Sequence, residues 1–404
     1  MQLRALADEA SNYLSELRSL RRELHRAPEL GLQLPRTLER VLASIDGLGL
    51  ETVRSSTISS AVIRIPGGKP GPTVVLRADL DALALREDTG LDYSSEIDGR
   101  MHACGHDLHA AIGVGAIHLL ATHRAELAGE VLFLFQPGEE GHNGADRMLD
   151  EGALGLASGK LVGAYALHVT TAAPLGLFVA KAGPAMAGTA TLGVTVRGRG
   201  GHGSSPQLAR DPNQAMAEIV TGLQTMVTRR FSAFDPVIVT VGWMRGGEEG
   251  TENVIPDSAS FGATVRTFSD ESQVAVEQHS RELVAGIAGA YGLTAEVRFD
   301  SVTAPLHNDP EHIELARRVA VEMFGEQRYL TMPTPIAGGE DFSSILSEVP
   351  GAFVFVGACP PELDPRTAPY NHSNLAVFDD SVLPDAAAYL AALAFARLDE
   401  VATA

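Results

Sequence analysis

The sequence predicts an α/β protein in which a largely parallel sheet flanked by helices forms a discontinuous domain, and a ferredoxin-like α+β domain is inserted into it. Three observations support this. Helical and strand patterns alternate over the first part of the 404-residue chain. From about residue 188 to 300 the order becomes β-α-β-β-α-β, and the α/β pattern then resumes. The length also favours two or three domains. We predict the divisions 1–186, 187–300 and 301–404.

The elements of the first part follow from the spacing of apolar residues. Apolar residues recur at helical spacing over three segments, namely 11–26, 35–48 and 107–127. Four short apolar runs are typical of buried strands, namely 60–65, 73–78, 130–135 and 164–168. Strands that alternate with helices favour a parallel sheet.

The inserted part has a different succession of strand and helix patterns. Strand patterns occur at 189–197, 237–243, 259–268 and 294–299, and helical patterns at 212–230 and 270–291. After it, we predict helices at 309–324 and 384–398 and a strand at 353–356.

Composition and charge exclude several classes of partner. The chain has 31 Lys+Arg and 51 Asp+Glu, giving a formal net charge of −20, and no basic run that could follow a phosphate backbone. We therefore expect neither nucleic acid nor membrane as a partner. No run reaches the roughly 18 apolar residues of a membrane span, and the first 20 residues lack a signal-peptide pattern. With only two cysteines, a cytoplasmic protein with free thiols is the favoured prediction over a single disulfide.

The strongest chemical signal is the segment 101–109, Met-His-Ala-Cys-Gly-His-Asp-Leu-His. Its thiol, imidazoles and carboxylate are the usual ligands of zinc and neighbouring divalent metals. Cys104 and His106 are two residues apart, so in extended chain their side chains point the same way. A lone cysteine is usually core filling and a lone histidine here often a cap, but the whole cluster favours a metal site.

A second signal is the segment 136–141, Gln-Pro-Gly-Glu-Glu-Gly, at the end of an apolar strand. Ligands bind at the carboxyl ends of strands in open α/β sheets. Because adjacent side chains diverge in a turn, we expect Glu139 and Glu140 to divide their roles. One would bind metal and the other would deprotonate the attacking water. Taken alone, such a pair is usually a solvated turn.

Four further residues lie where strands end or loops turn. His168 ends an apolar run and His372 lies in a loop, and either could be a structural histidine. Asp79 and Asp81 share one face after a strand, where they could orient metal-bound imidazoles as outer partners. The competing interpretation of these aspartates is the capping of a turn.

Three polar residues of the inserted part complete the candidates. The glycine-rich segment 198–206 matches no phosphate-binding fingerprint, but its His202 could donate a hydrogen bond to a developing oxyanion. Asn253 lies on an otherwise structural segment. Arg266 has the side chain suited to a bidentate clamp on a carboxylate. Each could equally be structural.

Seven motifs together resemble the aminoacylase/carboxypeptidase family of dinuclear metal amidohydrolases. The nearest branch is that of the hippurate hydrolases, auxin-conjugate amidohydrolases and bacterial N-acyl-amino-acid hydrolases. The resemblance covers nearly the whole chain, in the family's order. The motifs are His25-x-x-Pro28-Glu29-Leu30, Arg77-Ala78-Asp79-x-Asp81-Ala82-Leu83, His102-Ala103-Cys104-Gly105-His106-Asp107, Gln136-Pro137-Gly138-Glu139-Glu140-Gly141, Gly201-His202 with Asp211-Pro212, Asn253-x-Ile255-Pro256 and Gly339-Glu340-Asp341-Phe342.

The resemblance implies a catalytic α/β domain with two divalent metal ions, zinc or manganese, and an inserted domain that acts as a lid and dimerises. Carried over by motif, the metal ligands would be Cys104, His106, Glu140, His168 and His372, with the thiolate bridging. Glu139 would be the general base. His202 and Asn253 would reach the active site of a partner subunit, and Arg266 would bind the substrate's carboxylate.

Several positions depart from the family's pattern. Leu34 replaces a usual Glu and Leu108 a common Gly, and His142 interrupts a Gly-rich turn close to Glu140. The segment around His372 matches only loosely. The departure at Leu34 concerns a local cap and that at His142 concerns substrate preference, while the set of chemical residues is complete.

The sequence therefore predicts hydrolysis of the amide bond of N-acyl amino acids or similar small conjugates by metal-activated water. The resemblance also implies a homodimer or larger homo-oligomer. A carboxypeptidase or dipeptidase with the same site is the nearest alternative. A cysteine hydrolase in which His106 activates Cys104 without metal belongs to another class, as does a non-catalytic binding protein that kept the fold.

Overall fold

The computed structural model describes residues 3–403, and the chain divides into two compact units. The first contains the chain up to Ala185, His307–Thr334 and the chain from Asp341 onward. The second contains Met186–Leu306 and Pro335–Glu340. Its last strand continues to Thr303, so it extends past the boundary predicted at residue 300. The segment Pro335–Glu340 also joins the second unit, although the sequence assigned it to the resumed α/β part.

Regular elements occupy most of residues 3–403. The helices there are α1 (Leu3–Ala10), α2 (Leu14–Arg26), α3 (Pro35–Ala43), α4 (His106–Thr122), α5 (Gly144–Asp150), α6 (Pro212–Arg230), α7 (Asp270–Ala290), α8 (Pro310–Phe324), α9 (Phe342–Glu348) and α10 (Leu383–Thr403). The strands are β1 (Glu51–Arg54), β2 (Ala61–Pro66), β3 (Lys69–Asp79), β4 (Ala128–Gln136), β5 (Leu161–Pro174), β6 (Phe178–Ala180), β7 (Gly183–Met186), β8 (Gly188–Arg197), β9 (Gly201–His202), β10 (Ile238–Gly246), β11 (Val254–Ile255), β12 (Ser258–Thr267), β13 (Thr294–Thr303), β14 (Leu306–Asn308), β15 (Tyr329–Thr331) and β16 (Gly351–Cys359).

The first unit is built on an eight-stranded sheet in the order β1-β2-β4-β3-β5-β16-β6-β15. Its central strands β4, β3, β5 and β16 are parallel neighbours. Antiparallel pairing occurs on either side of them, between β1, β2 and β4 and between β16 and β6. The predicted α/β fold with a largely parallel sheet is therefore confirmed.

One buried apolar cluster joins this sheet to its helices. α4 is buried on nearly every side, as expected for a helix that is apolar around its circumference. In α10, most residues from Leu383 to Leu398 are buried. By length and hydropathy alone, the segment Asp380–Thr403 could cross a membrane. However, 78% of the apolar 18-residue stretch within it is buried inside the structure. This helix is accordingly a central core helix of the first unit.

The second unit contains a four-stranded antiparallel sheet in the order β10-β12-β8-β13. The chain passes through β8, α6, β10, β12, α7 and β13, which is the predicted ferredoxin-like succession. A second buried cluster, including Val194, Ile219, Phe261 and Val284, holds both helices on one face of this sheet. β9 and β11 form a separate antiparallel pair.

Element ends differ from the prediction for local reasons. α3 ends at Ala43, short of the predicted residue 48, because the backbone N–H groups of Ser44 and Ile45 donate to carbonyls three residues earlier and the chain then reaches Gly47, whose φ is 84°. α4 ends at Thr122, and a short 3-10 turn follows before residue 127. The strands β1, β6 and β15 are only three or four residues long, too short for an alternating pattern, and were not predicted.

Candidate metal centre

The carboxyl ends of β3, β4 and β5 lie at one edge of the sheet, because these strands are parallel neighbours. Asp79 and Gln136, the last residues of β3 and β4, are paired in register. His168 lies in β5. The acidic motifs that follow β3 and β4 therefore begin at the edge where open α/β sheets bind ligands.

The loop before α4 carries Cys104. Its neighbour Gly105 has a φ of 91°, and a Cβ atom there would lie 2.3 Å from Cγ2 of Val169, so only glycine fits. Sγ of Cys104 lies 3.4 Å from Nε2 of His168 and 3.3 Å from Nε2 of His372. Histidines 64 and 268 residues away in sequence thus meet at one thiol.

Two groups of candidate ligands share this thiol. Potential ligand atoms of Cys104, His106 and His168 lie within 4.8 Å of one another, and so do those of Cys104, Glu140 and His372. The structure therefore brings the five predicted ligands around one compact space. Cys104 belongs to both groups, the position that a bridging thiolate requires.

His106 tests whether this space suits a cation. Its side chain is fully buried, and neither ring nitrogen has a hydrogen-bond partner among the described residues. The nearest carboxylates, those of Asp79 and Asp81, are 3.7 Å and 3.6 Å away. A buried imidazole without partners is costly. A divalent cation would satisfy it, and thiolate, imidazole and carboxylate together form a donor set that zinc accepts. The residues fit the implied metal ions.

The pKa of the Cys104 thiol also favours a metal site. Burial raises this pKa to about 12, and the carboxylates of Glu140 and Asp79 add to the effect against the opposing influence of His106. A nucleophilic cysteine requires a lowered pKa. A coordinated cation, in contrast, deprotonates a thiol directly. The surroundings of Cys104 therefore favour a metal ligand over a free nucleophile.

Oxygens of Glu139 and Glu140 both lie within 4.8 Å of a nitrogen of His106 and of each other. The expectation that adjacent side chains diverge in this turn is therefore wrong for these two carboxylates. The turn starts at Gly138, whose φ is 73° and where a Cβ atom would lie 2.5 Å from Leu32. Glu140 also approaches His372, with Oε1 and Nε2 3.2 Å apart.

Asp81 holds this turn in place. Its two carboxylate oxygens accept hydrogen bonds from the backbone N–H groups of Glu139 and Glu140, each at 3.0 Å. These hydrogen bonds orient the acidic pair, a role that the sequence did not predict, and the predicted contact of Asp81 with an imidazole is present as well. Its nearest imidazole nitrogen, Nδ1 of His106, is 3.6 Å away.

Asp79 is held by Arg77 and His109. Nη1 of Arg77 donates to it at 2.6 Å, and Nδ1 of His109 lies 2.5 Å from its other oxygen. Although burial alone would raise the pKa of Asp79, Arg77 and the neighbouring histidines hold it well below its ordinary value. Asp79 thus remains a carboxylate beside His106.

His109 was not singled out from the sequence. Its Nδ1 bonds Asp79, and its Nε2 accepts the backbone N–H of Val169 at 2.8 Å. With both nitrogens engaged by protein groups, His109 supports the site rather than binding a cation. Its position three residues after His106 on α4 was the available signal, since that spacing places both on one helical face.

A buried network around Arg77 joins distant motifs. Besides Asp79, its guanidinium donates to Gln136 at 2.9 Å and to Asp341 at 3.0 Å. Gln136 in turn donates to Asp341 at 2.8 Å. The ends of β3 and β4 and the residue before α9 are therefore fixed to one another. The sequence indicates no role for Arg77, Gln136 and Asp341 beyond their presence in the family motifs.

The start of α4 is fixed by a second buried network, which the sequence did not predict either. Asp107 accepts from Nε of Arg21 at 2.7 Å and lies 2.7 Å from Nδ1 of His25. Burial would raise the pKa of Asp107, but Arg21 and His25 lower it far below the ordinary value. This ion pair anchors the residue directly after His106.

His202, Asn253 and Arg266 belong to the second unit. His202 in β9 pairs with Val254 of β11, and its exposed ring accepts the backbone N–H of Ser204 at Nδ1, 3.1 Å away. The neutral ring consequently carries its proton on Nε2. Asn253 precedes β11 and is exposed, and Arg266 in β12 is half-buried.

His142 is exposed and packs against Gly31, where a Cβ atom would lie 3.2 Å from Nε2 of the imidazole. It belongs to none of the ligand groups found among the described residues. Its position therefore gives it no direct part in holding a cation.

Comparison with known proteins gives a consistent result. Residues 75–396 match the family described as Peptidase family M20/M25/M40. The chain is 34% identical over 397 residues to N-acetylcysteine deacetylase of Bacillus subtilis, covering 98% of this chain and 100% of that protein. It is 32% identical over 384 residues to thermostable carboxypeptidase 1 of Saccharolobus solfataricus, covering 94% and 93% respectively.

Among solved structures, a dinuclear metal-binding peptidase of the M20 family from Bacillus subtilis is similar along its whole length. Its TM-score is 0.82 at 31% sequence identity, with 98% of this chain and 100% of that chain covered.

Proposed function

The chain belongs to peptidase family M20/M25/M40 and is a metal-dependent amidohydrolase, as its sequence predicted, and on that premise we propose its substrate class and the roles of its residues. The substrates are N-acyl amino acids or similar small amide conjugates, and the site holds two divalent cations. The observation that carries this proposal is the pair of ligand groups sharing Cys104, with Glu139 beside them.

In this proposal Cys104, His106, Glu140, His168 and His372 hold the cations. When bound, the cations lower the pKa of the attacking water and polarise the scissile carbonyl. The thiolate favours zinc, whereas the carboxylate also suits manganese, so these two metals are the leading candidates.

Glu139 is the general base. Its carboxylate accepts a proton from water as the water oxygen bonds to the amide carbonyl carbon, and it returns that proton to the departing nitrogen as the C–N bond breaks. The products are a carboxylic acid and a free amino acid. The two hydrogen bonds from the Glu139–Glu140 turn to Asp81 keep this base oriented.

The second unit supplies groups that bind substrate. The Nε2–H of His202 is a donor for the oxyanion that develops on the carbonyl. The guanidinium of Arg266 binds the carboxylate of the amino acid moiety. Asn253 directly precedes Val254, the residue of β11 that pairs with His202 of β9, and it assists His202 from there.

A carboxypeptidase or dipeptidase is the second candidate, because the chain is also similar to a thermostable carboxypeptidase. A substrate panel separates the two. Acetyl- and benzoyl-amino acids should show kcat/KM values at least about tenfold above those of dipeptides with the same C-terminal residue. Amides whose carboxylate is methylated should lose binding in the wild type but not in Arg266→Met. Higher kcat/KM values for dipeptides would establish the second candidate instead.

We propose further that the protein is a homodimer, or a larger homo-oligomer, formed through the second unit. β10 is an edge strand of that unit's sheet. It exposes three large apolar side chains, those of Ile238, Trp243 and Met244. An exposed apolar edge strand is a site where another chain can pair.

If His202 acts in the partner's active site, mixed subunits should complement each other. Glu139→Gln and His202→Ala should each be nearly inactive, His202→Ala by about 10²–10³-fold in kcat. When equal amounts of the two variants are denatured and refolded together, half of the dimers should contain one subunit of each kind. In such a hybrid, one of the two active sites combines an intact Glu139 with an intact His202 from the other subunit. Activity should therefore recover to about one quarter of wild type.

The matched control is the mixture of His202→Ala with Asn253→Ala. In those hybrids each site still receives one altered residue, so no comparable recovery is expected. If the Glu139→Gln and His202→Ala mixture stays as inactive as its components, His202 does not act across subunits.

A further inference from the structure

The loop that carries His372 is tied to two other parts of the site. Oγ1 of Thr171 donates to the carbonyl of Pro369 at 2.9 Å. The backbone N–H of His372 donates to the carbonyl of Ala103 at 2.8 Å. The loop is thus fastened both to the end of β5 and to the segment that holds Cys104.

Between these ties lies the side chain of Asn371. Its Nδ2 donates to the carbonyl of Cys104 at 3.2 Å and to the carbonyl of Val169 at 3.0 Å. Its Oδ1 accepts the backbone N–H of Thr171 at 3.3 Å. The last bond fixes the orientation of the carboxamide, so that the amino group must face the two carbonyls. One side chain therefore joins the backbone beside three candidate ligands.

The contact with Val169 bears directly on His168. Nδ1 of His168 lies 2.8 Å from the same carbonyl oxygen of Val169 and donates to it. With the proton on Nδ1, the lone pair on Nε2 is available on the side of Cys104, 3.4 Å away. Holding that carbonyl in place therefore holds the tautomer that a metal ligand requires.

His372 itself has a conformation that needs support. Its φ is 71°, in the left-handed region that residues with side chains seldom adopt. Such a conformation persists only where the surroundings enforce it. The hydrogen bonds of His372 and Asn371 to consecutive carbonyls, those of Ala103 and Cys104, provide that enforcement.

We propose that Asn371 is a positioning residue that sets the spacing of Cys104, His168 and His372 and thereby the affinity of the site for its second cation. This inference rests on the proposed dinuclear site. Asn371 does not touch the reacting atoms. Its effect passes through the three ligands, foremost through the group of Cys104, Glu140 and His372.

Asn308 offers a matched control. It is buried, its Nδ2 donates to the carbonyls of Lys181 and Phe353, each at 3.0 Å, and its Oδ1 accepts the backbone N–H of Phe353. Like Asn371, Asn308 accepts one hydrogen bond and donates two. Unlike Asn371, it is not bonded to any candidate ligand. Replacing Asn308 costs the same kind of hydrogen bonds without disturbing the metal centre.

The experiment compares Asn371→Leu and Asn371→Asp with Asn308→Leu and Asn308→Asp. Each metal-free protein is titrated with cobalt(II), and the thiolate-to-cobalt charge-transfer band reports on Cys104. Thermal unfolding of each metal-free variant measures the loss of stability separately. Asn371→Asp keeps the shape of the side chain and the bond from Thr171 but places a carboxylate against two carbonyls.

We expect both Asn371 variants to bind the weaker of the two cobalt ions about 10–100-fold less tightly, with a diminished charge-transfer band. The Asn308 variants should bind both ions as the wild type does, even where they unfold at lower temperature. The inference would be overturned if the Asn371 variants bound cobalt as tightly as the wild type does. It would also be overturned if the Asn308 variants lost as much affinity for cobalt as the Asn371 variants. A wild type that binds no metal would instead remove the proposed function on which it depends.

Discussion

Replacing Glu139 by glutamine should lower kcat by about 10²–10⁴-fold while leaving the metal content at the wild-type level. The amide has nearly the same shape as the carboxylate but cannot accept the proton of the attacking water. The backbone N–H of Glu139 donates to Asp81 at 3.0 Å, so the turn should keep its conformation in the variant. Metal analysis and steady-state kinetics on the same preparation measure both effects.

The adjacent residue provides the control. Glu140→Gln should also lose activity, but with a reduced metal content, because Glu140 belongs to the ligand group with Cys104 and His372. Equal metal loss in both variants would mean that the two glutamates share one role. An unchanged kcat in Glu139→Gln would show that Glu139 is not the general base, whereas a wild type that binds N-acyl amino acids without turning them over would favour a non-catalytic binding protein of this fold.

Removing the thiol of Cys104 should have a still larger effect on the metal centre. Cys104→Ala takes away the thiol shared by the group of Cys104, His106 and His168 and the group of Cys104, Glu140 and His372, so both proposed cations lose a ligand. Replacing an outer partner of a metal site typically costs 10–100-fold in affinity, and we expect the loss of a shared ligand to exceed about 100-fold. Equilibrium dialysis and metal analysis measure this loss directly.

Cys359→Ala is the matched control. This second cysteine is also buried and unpaired, but its thiol lies near the carbonyls of Pro360 and Leu363. It should keep metal and activity. In parallel, a chelator should abolish wild-type activity and the returned metal should restore it. Activity that survives the chelator but not Cys104→Ala would support the metal-free cysteine hydrolase.

The sequence predicted those parts of the fold that depend on local patterns. Long helices such as α4 and buried strands such as β3 and β4 follow from the spacing of apolar residues. The short strands β6 and β15 carry too few residues to show a period. The sequence could not place the segment Pro335–Glu340 in the second unit, because its membership of that unit depends on tertiary contacts.

The same distinction holds in the metal centre. Cys104 and His106 could be recognised because metal ligands have a restricted chemistry and these two lie close together in sequence. The hydrogen bonds of Arg77 to Asp341 and of Asn371 to Val169 join residues 264 and 202 positions apart. Neither the chemistry of these two side chains nor their positions in the sequence indicate such distant partners. Their supporting roles are therefore visible only in the structure.

The proposed function depends on five side chains that together hold two cations beside Glu139. Crystals of the metal-loaded protein, measured at the absorption edge of the bound metal, test this directly. The anomalous difference map should show two peaks that both lie next to Cys104. One peak should also contact His106 and His168, and the other Glu140 and His372. If the metal is zinc, each metal–sulfur distance should be about 2.3 Å. A map without peaks there, or with its peaks at other residues, would contradict the proposed dinuclear site.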